Sequence, residues 1–591
     1  MTYDPFADVD LTIDYVDAVA GAGKTLSMIA ESLERARRYG TKTIIAMPTL
    51  QLVNEMVEFA RRQPEVPVVE ITSREDEANP RKGSVTSLIH QHITGKKLDG
   101  EPLPPKLRPP AGGHLLFITH EAYDRMGTSW PPETREFEIV IDEEPDVILT
   151  RQPFKLYDSG YVLTSFLETF EVEVTPLARR ARRRAEAMVR QQGGMVFTDR
   201  DARNMVTFEA LIRGGVKGSS EGEVAQAKKR LEKLKQKKAE AVNSQEDILG
   251  ASDLTDYRPY SYVVPKDPDW LMRRVYLDKL DDIYEYLNPV PKWLAQGASL
   301  FTDSEAWTRM ASHIGSGPLR GQVTISGFRR PEALKSFRRA TIMSALFKNT
   351  MLFDLWSQLG VEFRESNLVK INSATTSLGS RTLRIYWLTD QGWSKRLRDQ
   401  SGGIAAIFRL IKQSGIINEG ETVCVCTNKD DASEDDPRVV LNNFRNAEIM
   451  PHNSRGQNRF RHYHQLIHTA ALNSYTPDIR WMETVLGIDS TQQRIARAGQ
   501  EIYQTLMRLS LRDPRQTHDI ALVVMDKEIA EWLPQWFEPA EQVEVIEIDS
   551  SGVVRRKKSR TGRPALGERP MTAAERQARR RAHRRESPPP P

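Results

Sequence analysis

Short apolar runs alternate with helical patterns through the first 150 residues. Ile13–Val19, Thr43–Met47, Leu115–Thr119 and Glu138–Ile141 read as buried strands, whereas Leu26–Ala36 and Leu52–Ala60 space their apolar positions as helices do. Strands alternating with crossover helices are the signature of a parallel sheet. The rhythm breaks from about Thr150 to Arg330, where an arginine-dense stretch (Leu177–Arg190) and a Lys/Glu-rich stretch (Glu221–Ala241) predict a mainly helical insertion. In the second stretch Val224, Leu231 and Leu234 form the only apolar stripe, which suits either half of a coiled hairpin or a solvated helix. Strand-like runs return at Ala340–Ala345, Arg384–Leu388, Thr422–Cys426, His464–His468 and Ile520–Met525, implying a second α/β unit. After Ile548 the chain turns polar, basic and finally Pro-rich, a composition that cannot build a core.

Composition narrows the class. With 591 residues the chain exceeds one hydrophobic core, so two or three domains and a tail are expected. It is 39% hydrophobic and 28% charged, and no stretch approaches the roughly 20 apolar residues of a spanning helix. No membrane partner is therefore expected. The acidic segment Met1–Asp14 lacks the basic-then-apolar layout of a secretory signal, so a cytoplasmic location is expected. Cys424 and Cys426, the only two cysteines, alternate in an apolar run and read as small buried hydrophobes; no spacing supplies further zinc ligands. The net charge of +4 is uneven, because Arg555 to Arg585 is dense in Arg and Lys against Glu568 and Glu575 alone. Such a tail binds a polyanion through counterion release, or else serves as a disordered solubiliser.

The strongest local pattern is the apolar run Ile13–Val19 feeding Ala20-Gly21-Ala22-Gly23-Lys24-Thr25 and then a helix. A glycine turn opening a helix wraps backbone N–H groups around phosphates, where the helix dipole also favours negative charge. Lys24 would reach the terminal phosphates and the Thr25 hydroxyl would hold Mg²⁺. Ala18 stands where the common pattern begins with Gly. The complementary half of such a site is an acidic pair at the end of a buried strand, and Phe137–Ile141 followed by Asp142-Glu143-Glu144-Pro145 supplies it. The carboxyl edge of a parallel sheet is where ligands bind. There Asp142 would orient Mg²⁺ through its water shell and Glu143 would polarise the attacking water.

At this point the residues resemble the superfamily 2 helicases that carry a D-E-x-x box. Further elements fall in family order. Ala46-Met47-Pro48-Thr49-Leu50 is similar to the first element gripping the nucleic-acid backbone, with Pro48 and Thr49 at its centre, and Ile118-Thr119-His120 to the element before the box. Met343-Ser344-Ala345-Leu346 is similar to the S-A-T element, with Leu346 for Thr; Ser373-Ala374-Thr375 matches the letters better but follows no clear strand. Ser454-Arg455-Gly456-Gln457-Asn458 resembles the R-G-x-[DN] element facing the cleft: Gly456 and Asn458 would touch nucleotide, and Arg455 nucleic acid.

Two stretches compete for the last element, Gln493–Gln500 with Arg494 and Arg497, and Gln504–Arg512 with Gln504, Arg508 and Arg512. Position favours the second, since Arg512 lies a short loop before the Ile520–Met525 strand. On a helix Arg508 and Arg512 would share one face at i and i+4.

The resemblance implies an α/β fold of two RecA-like P-loop NTPase lobes. Lobe 1 is expected at 1–150 with a return at 336–352, the helical insertion at 151–335, lobe 2 at 353–548 and the basic tail, expected to be disordered, at 549–591. It implies ATP and Mg²⁺ as cofactors and nucleic acid as partner. DNA is preferred because the tail, with Gly562-Arg563-Pro564, is similar to basic segments of phage and plasmid proteins. The alternatives are an RNA helicase, or an ATP-dependent switch that remodels protein–nucleic-acid complexes without separating strands.

Overall fold

The computed structural model describes residues 6, 8–72, 84–149, 154–155, 167–172, 228–233, 235–236, 260–266, 290–312, 322–368, 375–432, 437–451, 459–472, 476–513, 515–550 and 552–554. Strands β1 (Thr12–Asp17), β2 (Lys42–Met47), β3 (Val68–Glu70), β4 (His114–Thr119) and β5 (Phe137–Asp142) occupy the first apolar runs. Helix α1 (Lys24–Tyr39) turns Met28, Ile29, Leu33 and Ala36 inward. It stops at Gly40, whose left-handed backbone (φ 65°) returns an N–H to Ala36. Helix α2 (Leu50–Arg61) starts at Thr49, whose hydroxyl accepts from Leu52 N at 3.2 Å.

Between β5 and the rest of its sheet the described residues hold β6 (Ile148–Leu149), β7 (Phe154–Lys155), β8 (Leu167–Val172), β9 (Tyr260–Pro265), β10 (Ala298–Asp303), β11 (Gln322–Val323) and β12 (Ile325–Arg329). Five of them form an antiparallel sheet in the order β6-β12-β10-β9-β8. The expected mainly helical insertion falls largely outside the described residues, which hold this sheet together with the helices Val290–Ala295 and Ser304–Ser312. Runs rich in β-branched and aromatic residues, such as Tyr262-Val263-Val264 and Val323-Thr324-Ile325, favour a pleated, packed surface. Gly327 is required there, because a Cβ would stand 2.4 Å from the Ser299 carbonyl oxygen across the pair. The arginine-dense stretch 177–190 lies outside the described residues; of the Lys/Glu-rich stretch, 228–233 is helical and buries Leu231.

Strands β13 (Arg339–Ser344) and β14 (Glu362–Glu365) complete a seven-stranded sheet in the order β14-β1-β13-β5-β2-β4-β3. All its pairings are parallel. The first sheet thus runs to Glu365, past the expected boundary at 352, because β1 needs an outer neighbour and the Glu362–Glu365 segment supplies it. Along β4, Leu116 and Ile118 face one core and Leu115 and Phe117 the other, so the strand is buried on both faces.

A second parallel sheet follows. After β15 (Thr376–Ser377) come β16 (Leu383–Thr389), β17 (Val423–Cys426), β18 (Ala447–Ile449), β19 (Gln465–His468), β20 (Ile520–Asp526), β21 (Phe537–Glu538) and β22 (Val543–Glu547). Six of these order as β18-β17-β19-β20-β16-β22, all pairs parallel, while β15 pairs with β21. Cys424 and Cys426 are buried in β17, and burial pushes both thiols up.

One segment belongs to the other unit from the one its place in sequence suggests. Trp481, Met482, Val485, Leu486 and Ile488 pack into the core of the first sheet, together with Phe301 and Phe328 of the antiparallel sheet. Ser326 Oγ donates to Asp478 Oδ1 at 3.1 Å, fixing the same contact. The expected single block 353–548 is therefore interrupted, since an apolar helical face at 478–488 finds its cover on the first unit. Among the described residues no helix is long and apolar enough to cross a membrane.

Candidate active site

The candidate site lies at the carboxyl edge of the first sheet, where β1, β13, β5, β2 and β4 release their loops side by side. After β1 the chain turns through Gly21 (φ 85°) and Gly23 (φ 81°), both left-handed, and enters α1 at Lys24. Around Gly23 there is open space, with nothing within 4 Å of where a Cβ would stand. A glycine turn at the start of a 16-residue helix can take an anionic group. Lys24 Nζ folds back to donate to the Ala18 carbonyl at 2.6 Å and the Val19 carbonyl at 3.3 Å. Burial lowers its pKa, opposed by the carboxylates of Asp142, Glu143, Asp17 and Glu144.

Thr25 and Asp142 come together as the sequence requires. The Thr25 hydroxyl stands 3.0 Å from both Asp142 carboxylate oxygens. A hydroxyl and a carboxylate are the hard oxygen donors that Mg²⁺ takes, so this pair fits such an ion. Glu143 follows in a left-handed conformation (φ 66°) uncommon for a residue with a side chain. Leu346 adopts the same conformation (φ 55°) after β13. Outliers of this kind cost about 1–3 kcal/mol and cluster where a site over-determines the backbone. Ser344 Oγ donates to the Glu144 carboxylate, and Phe347 N donates to Asp17 Oδ1 at 3.0 Å, tying the β13 loop to the acidic loop and to β1.

Residues from the second half of the chain reach this edge. Arg508 Nη2 lies 3.9 Å from Glu143 Oε1. Arg512 packs on the phosphate-type loop: a Cβ on Gly21 would stand 2.7 Å from its Nε and 2.8 Å from its Cγ. The two arginines do not share a helical face. The helix Gln500–Leu506 ends before Arg508, and Arg512 closes a short 3-10 turn, Ser510–Arg512. Leu509, Ser510 and Leu511 are all buried, Leu509 has an extended backbone (φ −80°, ψ −171°) and Ser510 N donates to the Tyr463 carbonyl, so the α-helix does not continue. Gln504 is buried within that helix.

The competing pair goes elsewhere. Arg494 Nη2 pairs with Glu528 Oε2 at 2.5 Å, and Gln493 donates to the Ile479 and Ile488 carbonyls at 3.3 and 2.8 Å. Arg497 acts electrostatically on buried Asp478.

Pro48 and Thr49 end β2, and Thr119 and His120 end β4, all half-buried on the same edge. Thr49 and Thr119 each cap the following helix, Thr119 accepting from Ala122 N at 3.2 Å. Arg455, Gly456 and Asn458 lie outside the described residues, as do Ser373 and Ala374. Two further residues reach the site. Gln500, the last residue of the competing Gln493–Gln500 stretch, donates from Nε2 to the Leu346 carbonyl at 3.0 Å, and the Tyr503 hydroxyl accepts from Ala20 N at 3.4 Å. Sequence reasoning missed Tyr503, because a Tyr embedded in a helix carries no motif signal.

No protein-family model matches the chain, and no curated protein matches it. Among solved structures, the Hef helicase domain of Pyrococcus furiosus aligns at 11% identity and a TM-score of 0.21, over 88% of this chain and 94% of that one. A likeness that low bears no weight on fold or function.

Proposed function

We propose that this chain is an ATP-driven nucleic-acid motor of the superfamily 2 helicase type, built on two RecA-like units and acting on DNA. One observation supports the reading above the rest: the loop at Gly21, the acidic pair after β5 and two arginines from the far half of the chain converge on one edge.

In this reading the amides from Gly21 to Thr25 and the Lys24 ammonium hold the triphosphate. Thr25 and Asp142 would hold Mg²⁺, which neutralises charge on the phosphates when bound. Glu143 orients and polarises the attacking water, and Arg508 and Arg512 stabilise charge developing on the transferred phosphoryl group. Lys24 meanwhile leaves the Ala18 and Val19 carbonyls for the phosphates. Opening and closing of the cleft would move a single strand lying along Pro48, Thr49, Thr119 and His120, with Arg455, Gly456 and Asn458 in roles implied by the family pattern.

The test is ATP hydrolysis measured with matched single-stranded DNA and RNA, followed by duplex displacement. DNA-stimulated turnover is expected, and Lys24→Ala is expected to abolish it while nucleic-acid binding persists. Unchanged turnover in that variant would refute the assignment. Stimulation without displacement would point to the remodelling switch, and stronger stimulation by RNA would move the substrate to RNA.

A further inference from the structure

The helix Gln500–Leu506 touches both loops that the first sheet sends to the site. Gln500 and Tyr503, three residues apart and so on one face, reach the Leu346 carbonyl and the Ala20 amide respectively. Tyr503 is fully buried at 0% exposure. A hydroxyl there costs free energy unless it is bonded, and a phenylalanine would pack against Phe537, 6.0 Å away, without that cost. The hydroxyl therefore belongs to its bonds.

The Ala20 N–H must donate, so the Tyr503 oxygen accepts it. The Tyr503 hydroxyl also stands 3.5 Å from Thr376 Oγ1, which lies 3.7 Å from Met507 Sδ. A chain of polar contacts thus runs from the loop at Ala20 through Tyr503 to Thr376, which lies just ahead of the second sheet. The chain segment after Tyr503 carries Arg508 and Arg512 to Glu143 and Gly21.

We infer that Tyr503 is a positioning residue: it registers the arginine-bearing segment against the phosphate-binding loop, so that the arginines meet the nucleotide only when the loop is seated. The inference rests on the nucleotide reading above. It concerns transition-state contacts, because the hydroxyl touches the loop's entry and leaves the amides from Gly21 onward to the phosphates.

The experiment compares the full-length protein with Tyr503→Phe, Arg512→Ala and the double variant. Tyr503→Phe keeps the ring, and the protein should stay folded. Its kcat should fall by between about tenfold and a hundredfold, the loss typical of misplaced catalytic groups, with nucleotide KM unchanged. In the Arg512→Ala background the same substitution should cost less than in the wild type, since one of the two arginines it positions is gone. A rise in KM at constant kcat, or losses that multiply in the double variant, would overturn the inference. If the wild type hydrolyses no nucleotide, the function reading falls and the positioning role with it. Hydrogen exchange at the Ala20 amide then still decides the contact: faster exchange in Tyr503→Phe is expected, and equal exchange contradicts it.

Discussion

Arg512 lies against Gly21 so closely that a single added carbon on the glycine would fall 2.7 Å from the arginine Nε. Gly21 is left-handed at φ 85°, and a side chain in that region costs about 1–2 kcal/mol by itself. Gly23 is left-handed too, at φ 81°, but nothing stands within 4 Å of its missing Cβ. The two glycines therefore separate backbone strain from contact with the far half of the chain. Gly21→Ala should lower the unfolding midpoint more in the wild type than in an Arg512→Ala background, whereas Gly23→Ala should cost the same in both. Equal costs for Gly21→Ala in the two backgrounds would show that Arg512 does not occupy this position.

The arginines divide into two groups by what they touch. Arg508 and Arg512 address the site, while Arg494 is held by Glu528 at 2.5 Å and presses on Gly392, whose added Cβ would stand 2.6 Å from Nη1. Removing Arg508 or Arg512 should lower kcat by about 10³–10⁵, the range for arginine fingers. Arg494→Ala should leave turnover within a few-fold and cost about 1 kcal/mol at most in stability, as partly exposed pairs do. Steady-state ATP hydrolysis and urea unfolding of the three variants distinguish these outcomes.

Lys24 carries a pH signature. Burial lowers its folded pKa below the ordinary 10.5, so between the lowered value and 10.5 the unfolded chain binds more protons than the folded one. Stability attributable to this group then rises with pH across that window, and the desolvation penalty is fully present below it. Relative to Lys24→Met, the nucleotide-free wild type should gain stability as pH climbs through the window that ends at 10.5. Parallel unfolding curves at every pH would contradict the burial.

The contact between the antiparallel sheet and segment 476–488 makes a packing prediction. Trp481 is 1% exposed and its ring lies 6.0 Å from Phe301, within the core of the first sheet. Trp481→Ala should destabilise the protein by about 3–5 kcal/mol, read from denaturant unfolding. A loss below about 1 kcal/mol, the scale of a substitution made away from any core, would place the segment outside the core.

Much of this architecture was legible because buried parallel strands write continuous apolar runs. Thr43–Met47, Leu115–Thr119 and Ile520–Met525 became β2, β4 and β20. The loop at Gly21–Thr25 and the pair Asp142–Glu143 were legible because their chemistry needs particular residue types in a fixed order. The antiparallel sheet was not: charge-dense stretches around it dominate the composition, and short alternating runs such as Leu167–Val172 carry a weak local signal. Arg508 and Arg512 were placed by their distance from the Ile520–Met525 strand, but the helix expected to carry them breaks, since the backbone turns extended at Leu509 and buries Leu509, Ser510 and Leu511 together. Tyr503 acts through tertiary placement alone, which no spacing encodes.

The most direct test of a shared nucleotide pocket is Glu143→Gln, which keeps the side chain's shape beside Arg508 and removes its charge. ATP binding and single-turnover hydrolysis should be measured together on that variant. The account predicts ATP bound as tightly as by the wild type and turnover lower by about 10²–10⁴, the range for losing a general base. Turnover at the wild-type rate would contradict it.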